Sequence, residues 1–342
     1  MKQRRVGIGI VGMGFMGLTH LNASQTLKGG AVVAFVTADP RKARGDFRSV
    51  RGNFGNGGGR VNVKAYNVYP SLDQLLADDS VDLVDICLPS HLHASAATRA
   101  LRGGKHVLVE KPMALTLADT QRMMRSAQSS GNLLMVAQVL KFFPEFSALE
   151  KGIRTKQWGE LLALHMRRII AKPNWGGSWF ADSSKSGGMV VDLHIHDTDY
   201  LVYLFGKPRS VTSHGIVRNR QVDYLRTTYH YKKSHGPLLT SEAGWINGAS
   251  LAFEHGFDAF FENASLHFNS THTPRPLLYQ GKKARELKLG SKDGFAVQME
   301  QAVKTVRSAE VPPGLSPSNA AIALEVCRAE EKSVRSKRTV EL

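Results

Sequence analysis

The sequence predicts a two-domain α/β protein, with a doubly wound parallel sheet over residues 1–145 and an α+β domain with an antiparallel sheet over residues 146–342. Three observations carry this. Short apolar runs alternate with helix-like stretches through the first 145 residues, the pattern of a parallel sheet covered on both faces. After Pro144 the texture changes to alternating runs such as RTTYHYKK and ASLHFNST, the period of half-buried antiparallel strands. The chain has 342 residues, more than the ~250–300 at which a single core stops growing.

Taken in order, VGIGIV (6–11) reads as a buried strand running into glycines, residues 16–28 as a helix, and AVVAFVT (31–37) as a second strand. GNFGNGGG (52–59) is a loop by composition. SLDQLLADD opens with a capping serine and reads as a short helix. VDLVDICLP (81–89) is a strand stopped by Pro89; residues 92–102 form a helix, KHVLVE (105–110) a strand, residues 116–130 a helix capped by Thr116, and NLLMVAQV (132–139) another strand. In the second half, residues 160–171 and 209–270 carry strand-like alternation, residues 188–205 a helix, and AAIALEVC a helix near the C-terminus that can pack back on the first domain.

Composition removes several classes. Hydrophobic residues make up 42% and charged residues 22%, an ordinary globular balance. Two cysteines, Cys87 and Cys327, exclude a disulfide framework and point to a reduced, cytoplasmic setting, with Cys87 as a small core residue. No run of ~18 apolar residues spans a membrane. The basic, apolar start MKQRRVGIGIVGMGFMG is interrupted by glycines and lacks a small-residue cleavage site, so it is not read as a signal peptide. The net charge of +16 raises nucleic acid as a partner. That charge divides evenly between the two halves, however, and no recognition helix, aromatic RNA-binding pattern or zinc spacing accompanies it, so no nucleic-acid partner is expected. Its densest stretch is residues 41–64.

Gly12-Met13-Gly14-Phe15-Met16-Gly17 follows the first strand and opens the first helix. In this context Gly12 allows the tight turn, Gly14 lets a pyrophosphate approach the backbone, and Gly17 lets helix and strand pack closely. The acidic residue that would bind an NAD ribose is absent: Thr37 stands 20 residues past Gly17. Arg41 and Lys42 follow shortly and could bind a 2′-phosphate, which favours NADP over NAD; alternatively Asp39 turns in to the ribose, or these cations are a solvated face.

Lys111 directly follows a buried strand, at the carboxyl end where open α/β sheets bind ligands. Further on, GGMVVDLHIHDTDYLVYLFG (187–206) on a helix would put Asp192, His196 and Asp199 on one face. A carboxylate one turn from an imidazole can orient it as a base, although such a pair also occurs as plain structure.

Together, GIVGMGFMGLTH, LPSHLHASAATRALRGGKHVLVEKPMALT and GGMVVDLHIHDTD resemble the glucose–fructose oxidoreductase/inositol dehydrogenase (Gfo/Idh/MocA) family over nearly the whole chain. The resemblance implies a nicotinamide Rossmann domain, then a domain with a large, open, mainly antiparallel sheet that supports a homodimer or homotetramer. It implies Lys111, Asp192 and His196 as catalytic residues, with His196 exchanging the hydroxyl proton, Lys111 stabilising the oxygen and Asp192 orienting the same group. It also implies that Phe15, Met16, Leu88, Pro89, Ser90, His91, His93, Glu110, Lys111 and Gln138 line the cofactor site, His91 and His93 being equally readable as loop histidines. The substrate it implies is a polyol, sugar or sugar derivative.

Three departures from the commoner family pattern stand out: Thr37, Lys141-Phe142-Phe143 in place of an Arg-Phe pair, and His194 where a small residue is usual. His194 either binds substrate or packs. Trp175 and Trp179 either stack on a sugar or cofactor ring or anchor their loop, and Arg168 is a candidate for an anionic substrate group. His194 and His196 point about 200° apart on a helix, so no metal site is expected. Two other readings compete: a glycoside hydrolase using tightly held NAD through transient oxidation, and a non-catalytic dinucleotide-sensing regulator.

Overall fold

The computed structural model describes residues 4–52, 55, 57–173, 179–180, 182–231, 236–246, 248 and 251–342. The chain divides into two compact units. The first runs to Val139 and resumes over Asp293–Ala321; the second takes the bulk of the chain from Leu140 to Lys292, and Ile322–Leu342.

The first unit holds a six-stranded sheet of β1 (Val6–Val11), β2 (Gly30–Val36), β3 (Asn67–Tyr69), β4 (Leu83–Ile86), β5 (His106–Glu110) and β6 (Leu134–Ala137), in the order β3-β2-β1-β4-β5-β6. Every pairing is parallel. All residues of β1, β4 and β6 are buried, which explains why they read as unbroken apolar runs. The helix Leu117–Ser130 begins where Thr116 accepts a hydrogen bond from the Asp119 amide at 3.1 Å. The helix expected over 16–28 is shorter, Phe15–Ala23, and its last turn tightens to a 3-10 turn. The sequence pattern did not expose two short elements, β3 and the helix Pro40–Ala43 capped by Asp39, because neither is long enough to show a period.

One helix of the first unit comes from far along the chain. Gly294–Ser308 packs against the helix Phe15–Ala23 and β1. Phe295, Met299, Ala302 and Val303 are buried, and Arg307 donates to the Gly29 carbonyl at 2.8 Å.

The second unit holds a nine-stranded sheet of β7 (Leu161–Ala171), β8 (Ser210–Arg218), β9 (Gln221–His230), β10 (Leu238–Ile246), β11 (Glu254–Phe261), β12 (Ser265–Asn269), β13 (Thr273–Gln280), β14 (Lys283–Glu286) and β15 (Val340–Glu341). The order is β14-β13-β12-β11-β7-β10-β9-β8-β15. Neighbours are antiparallel except β7 and β10, which run parallel. The helix Pro144–Arg154, started by proline at its first position, brings Phe146 into the core. There its ring meets Tyr200, Phe257 and Phe268 edge-on at 5.4, 5.4 and 5.9 Å.

The segment expected as one helix over 188–205 is two: a π-helical turn, Val190–His194, followed by the α-helix Ile195–Phe205. Hydrophobic periodicity does not distinguish the two geometries, and π turns concentrate at functional sites.

Candidate functional site

In the first unit the three glycines separate by what surrounds them. Gly12 has φ +98°, and a Cβ there would lie 2.7 Å from the Cys87 carbonyl oxygen just past β4. A Cβ on Gly17 would lie 2.2 Å from the Gly12 carbonyl oxygen. A Cβ on Gly14 would meet nothing within 4 Å beyond its own neighbours in the chain. Two glycines therefore serve the fold, and the third leaves a space that a side chain would fill. The space opens where β1 and β4 adjoin and the strand order reverses, the ligand site of such sheets. Phe15 and Met16, both half-buried, form the first turn of the helix.

At the end of β2, the half-buried Thr37 accepts a hydrogen bond from the Asp39 amide at 3.2 Å. Asp39 is committed to capping: it accepts from the Arg41 amide at 2.8 Å, which holds its carboxyl below the usual range. The side chain of Arg41 is 68% exposed, and Lys42 is half-buried. Past β4, Leu88 and Pro89 are half-buried, Ser90 is buried and His91 is exposed. His93 is turned inward, with Nδ1 and Nε2 each 2.7 Å from a carbonyl, those of Pro112 and Leu88. Neither nitrogen is left for a cofactor, and burial keeps its pKa below the ordinary value despite those two contacts. Gln138 is buried, and neither atom of its amide has a hydrogen-bond partner. A buried, unsatisfied amide costs free energy unless a ligand completes it. With the open space at Gly14, it fits a dinucleotide.

Glu110 ends β5 and is buried. Its Oε2 accepts a hydrogen bond from the Lys111 amide at 2.9 Å, and its Oε1 lies 3.1 Å from Nε2 of His20. His20 and Asp85, which the sequence reading did not single out, join by Nδ1 and Oδ2 at 2.8 Å. Burial pulls the imidazole pKa down, but Asp85 and Cys87 outweigh it and leave His20 well above the ordinary value. Burial pushes the Cys87 thiol up to about 12. The available signal was Asp85 itself, a carboxylate inside an apolar strand.

In the second unit, every residue from 186 to 202 is buried except two, Asp192 and His196. The intervening polar residues are consumed by packing. Arg168 donates to both carboxylate oxygens of Asp197 at 2.9 and 2.8 Å, with both side chains buried. Lys141 donates to Asp199 at 2.6 Å. His194 Nε2 lies 3.1 Å from Glu330 Oε1, and Tyr229 and Ser241 join the same buried network at 3.2 and 3.4 Å. Burial lowers the His194 pKa, but the Glu330 charge outweighs it and the net shift is upward.

Three expectations are corrected accordingly. Arg168 and His194 are structural ion-pair members rather than substrate contacts, and Asp199 belongs with Lys141 rather than on an open face with Asp192 and His196. The sequence could not show this, because each partner comes from a distant element. Trp179 is half-buried, and Trp175 lies outside the described residues.

Comparison with known proteins bears on both units. Residues 6–138 match the family described as "Oxidoreductase family, NAD-binding Rossmann fold", and residues 146–266 match the GFO/IDH/MocA C-terminal domain. The chain belongs to the Gfo/Idh/MocA oxidoreductase family. An uncharacterized oxidoreductase of Schizosaccharomyces pombe is 35% identical over 52% of this chain and 48% of its own length. The scyllo-inositol 2-dehydrogenase (NADP(+)) of Bacillus subtilis is 27% identical over 57% of this chain and 55% of its own. The chain thus spans about half the length of the first curated relatives it matches. Among solved structures, levoglucosan dehydrogenase in complex with NADH and levoglucosan has the same fold, with TM-score 0.81, 19% identity and 99% coverage of both chains. Both members of the family architecture, the parallel six-stranded sheet and the mostly antiparallel second sheet, are present.

Proposed function

We propose that this family member is a nicotinamide-dependent oxidoreductase that moves a hydride between the cofactor and a carbon bearing a hydroxyl or carbonyl, in a polyol, sugar or sugar derivative. The observation that carries the reading is that Asp192 and His196 alone are half-buried in an otherwise buried stretch from 186 to 202. A helix that needed these residues only for packing would bury them with their neighbours.

His196 takes the hydroxyl proton in the oxidative direction and returns it in the reverse, a task suited to imidazole near neutral pH. Lys111 donates a hydrogen bond to that oxygen and stabilises its developing negative charge. Asp192 orients the reacting group. When bound, the nicotinamide supplies the hydride acceptor or donor. Gly12, Gly14 and Gly17 form its pyrophosphate turn, with Phe15, Met16, Leu88, Pro89, Ser90, Glu110 and Gln138 around it. We infer a preference for NADP(H): Asp39 is turned to its cap, and Arg41 and Lys42 follow Thr37 by four and five residues, the Arg41 guanidinium lying 3.8 Å from the Asp39 carboxylate. The NADP(+) in the name of the Bacillus subtilis relative is in keeping with this.

We also infer a cytoplasmic homo-oligomer formed through the second sheet. Cross-strand pairing sets Leu238, Ala163, Phe260, Ser265 and Tyr279 in one row on one face, where Leu238 is 59%, Phe260 42% and Tyr279 45% exposed. Both cysteines are free and buried, in keeping with a reducing compartment. Among the described residues no helix is long and apolar enough to cross a membrane.

A screen of polyols, aldoses and their oxidised forms with both cofactors, followed by nicotinamide absorbance, tests the reading. Turnover that Lys111→Ala and His196→Ala each reduce by about 10²-fold or more is expected. Release of free sugar from a glycoside with no net change in cofactor would favour the hydrolase instead. Turnover unaffected by both substitutions would remove the assignment.

A further inference from the structure

We propose that His20 is a positioning residue for Lys111, acting through Glu110. The proposal rests on Lys111 being catalytic, and it extends that reading to a residue outside the site.

His20 is fully buried on the helix Phe15–Ala23, between the carboxylates of Asp85 on β4 and Glu110 on β5. A carboxylate only accepts hydrogen bonds. With a carboxylate oxygen 2.8 Å from Nδ1 and another 3.1 Å from Nε2, two negative charges flank the buried ring and favour the imidazolium. The Glu110 contact is close but off-line for a hydrogen bond, so it is an ion pair more than a directed bond. Two further side chains face the ring. The Cys87 sulfur lies 3.5 Å from Nδ1 and stays a neutral thiol, and the Phe295 ring is centred 6.1 Å away. The upward shift of the His20 pKa agrees with the geometry.

The consequence runs along β5. One oxygen of Glu110 faces His20, and the other accepts the Lys111 amide at 2.9 Å. The imidazolium therefore fixes the carboxylate that fixes the lysine backbone. It also supplies the counter-charge that a buried carboxylate requires. Without it, Glu110 must take that charge from elsewhere, and the adjacent Lys111 ammonium is the nearest source in sequence.

The test reads the lysine itself. At pH 8, trinitrobenzenesulfonate labelling of Lys111 is followed by peptide mass spectrometry, with surface Lys64 as internal reference. His20→Gln is expected to slow Lys111 labelling threefold or more, because an uncompensated Glu110 holds the ammonium charged, and to leave Lys64 unchanged. The double variant His20→Gln/Glu110→Gln, which removes both charges, is expected to restore the rate to within twofold of the parent. On a polyol substrate found in the screen, His20→Gln lowers kcat tenfold or more and changes KM and the Kd for NADPH less than threefold. A His20 ring found neutral at pH 8 by nitrogen-detected NMR of the unaltered protein, a Lys111 rate that His20→Gln does not slow threefold, or no rescue in the double variant each overturns the proposal. If the unaltered protein turns over no polyol, the functional reading fails, while labelling and NMR still decide the role of His20.

Discussion

A cofactor 2′-phosphate at the end of β2 would meet two cations and a carboxylate already engaged by its own helix cap. Replacing Arg41 and Lys42 together with alanine is expected to weaken NADPH binding roughly tenfold or more, since hydrogen bonds to charged groups contribute about 1.5–3 kcal/mol each. NADH binding should move less than threefold. Fluorescence titration with both cofactors measures the difference, and equal losses for the two would show that the cations merely cover surface. A second prediction concerns His194. Its folded pKa is raised, so its contribution to stability is complete below about pH 6.5, the unfolded value, and is lost as pH rises through the folded pKa. Glu330→Gln should cost about 3–5 kcal/mol at low pH, by breaking a buried pair, and distinctly less in alkali. Denaturant titrations of both proteins across that range check it; a gap that is constant with pH would contradict it. Local motifs in the sequence single out Lys111, Asp192 and His196 as candidates. Sequence reading failed at His194 and Arg168, because their partners Glu330 and Asp197 are fixed by tertiary pairing rather than by spacing.

The glycine turn shows how one motif divides its labour. Gly14→Ala meets nothing within 4 Å and needs no positive φ, so melting should shift little while dinucleotide affinity falls about tenfold or more. Gly12→Ala combines φ +98° with a 2.7 Å clash against backbone and should destabilise the fold by about 2 kcal/mol or more. Thermal melts with and without cofactor separate the two, and a Gly14→Ala protein that melts as early as Gly12→Ala would refute the division. At the same scale, the parallel strands other than the short, exposed-to-half-buried β3 were legible because burial on both faces leaves apolar runs. The π turn at Val190–His194 was not, because its departure from α geometry is confined to a single turn. The helix Gly294–Ser308 was also missed, since its apolar residues are spread among glutamines, lysine and arginine.

Across the whole molecule, the row from Leu238 through Phe260 to Tyr279 is the face we propose for a second copy of the chain. Phe260→Glu should convert the oligomer to monomer in sedimentation velocity runs at micromolar concentration, with the fold intact by circular dichroism; an unaltered protein that is already monomeric there would rule the interface out. The change of texture after Pro144 falls near the division at Val139 and Leu140, but the return was expected in the wrong place: the C-terminal helix over AAIALEVC was to pack back on the first domain, whereas Asp293–Ala321 returns and Ile322–Leu342 belongs to the second unit. Nothing in the local pattern says that Asp293–Ala321 returns to the first unit after the second sheet has been laid down. That return gives the cofactor domain an order of manufacture. Its six strands are all synthesised by residue 137, yet the helix that packs on Phe15–Ala23 and β1 is made only at residues 294–308. An interrupted chain would present that bare apolar face to chaperones and proteases, so the dinucleotide fold closes only once residues 294–308 have been made.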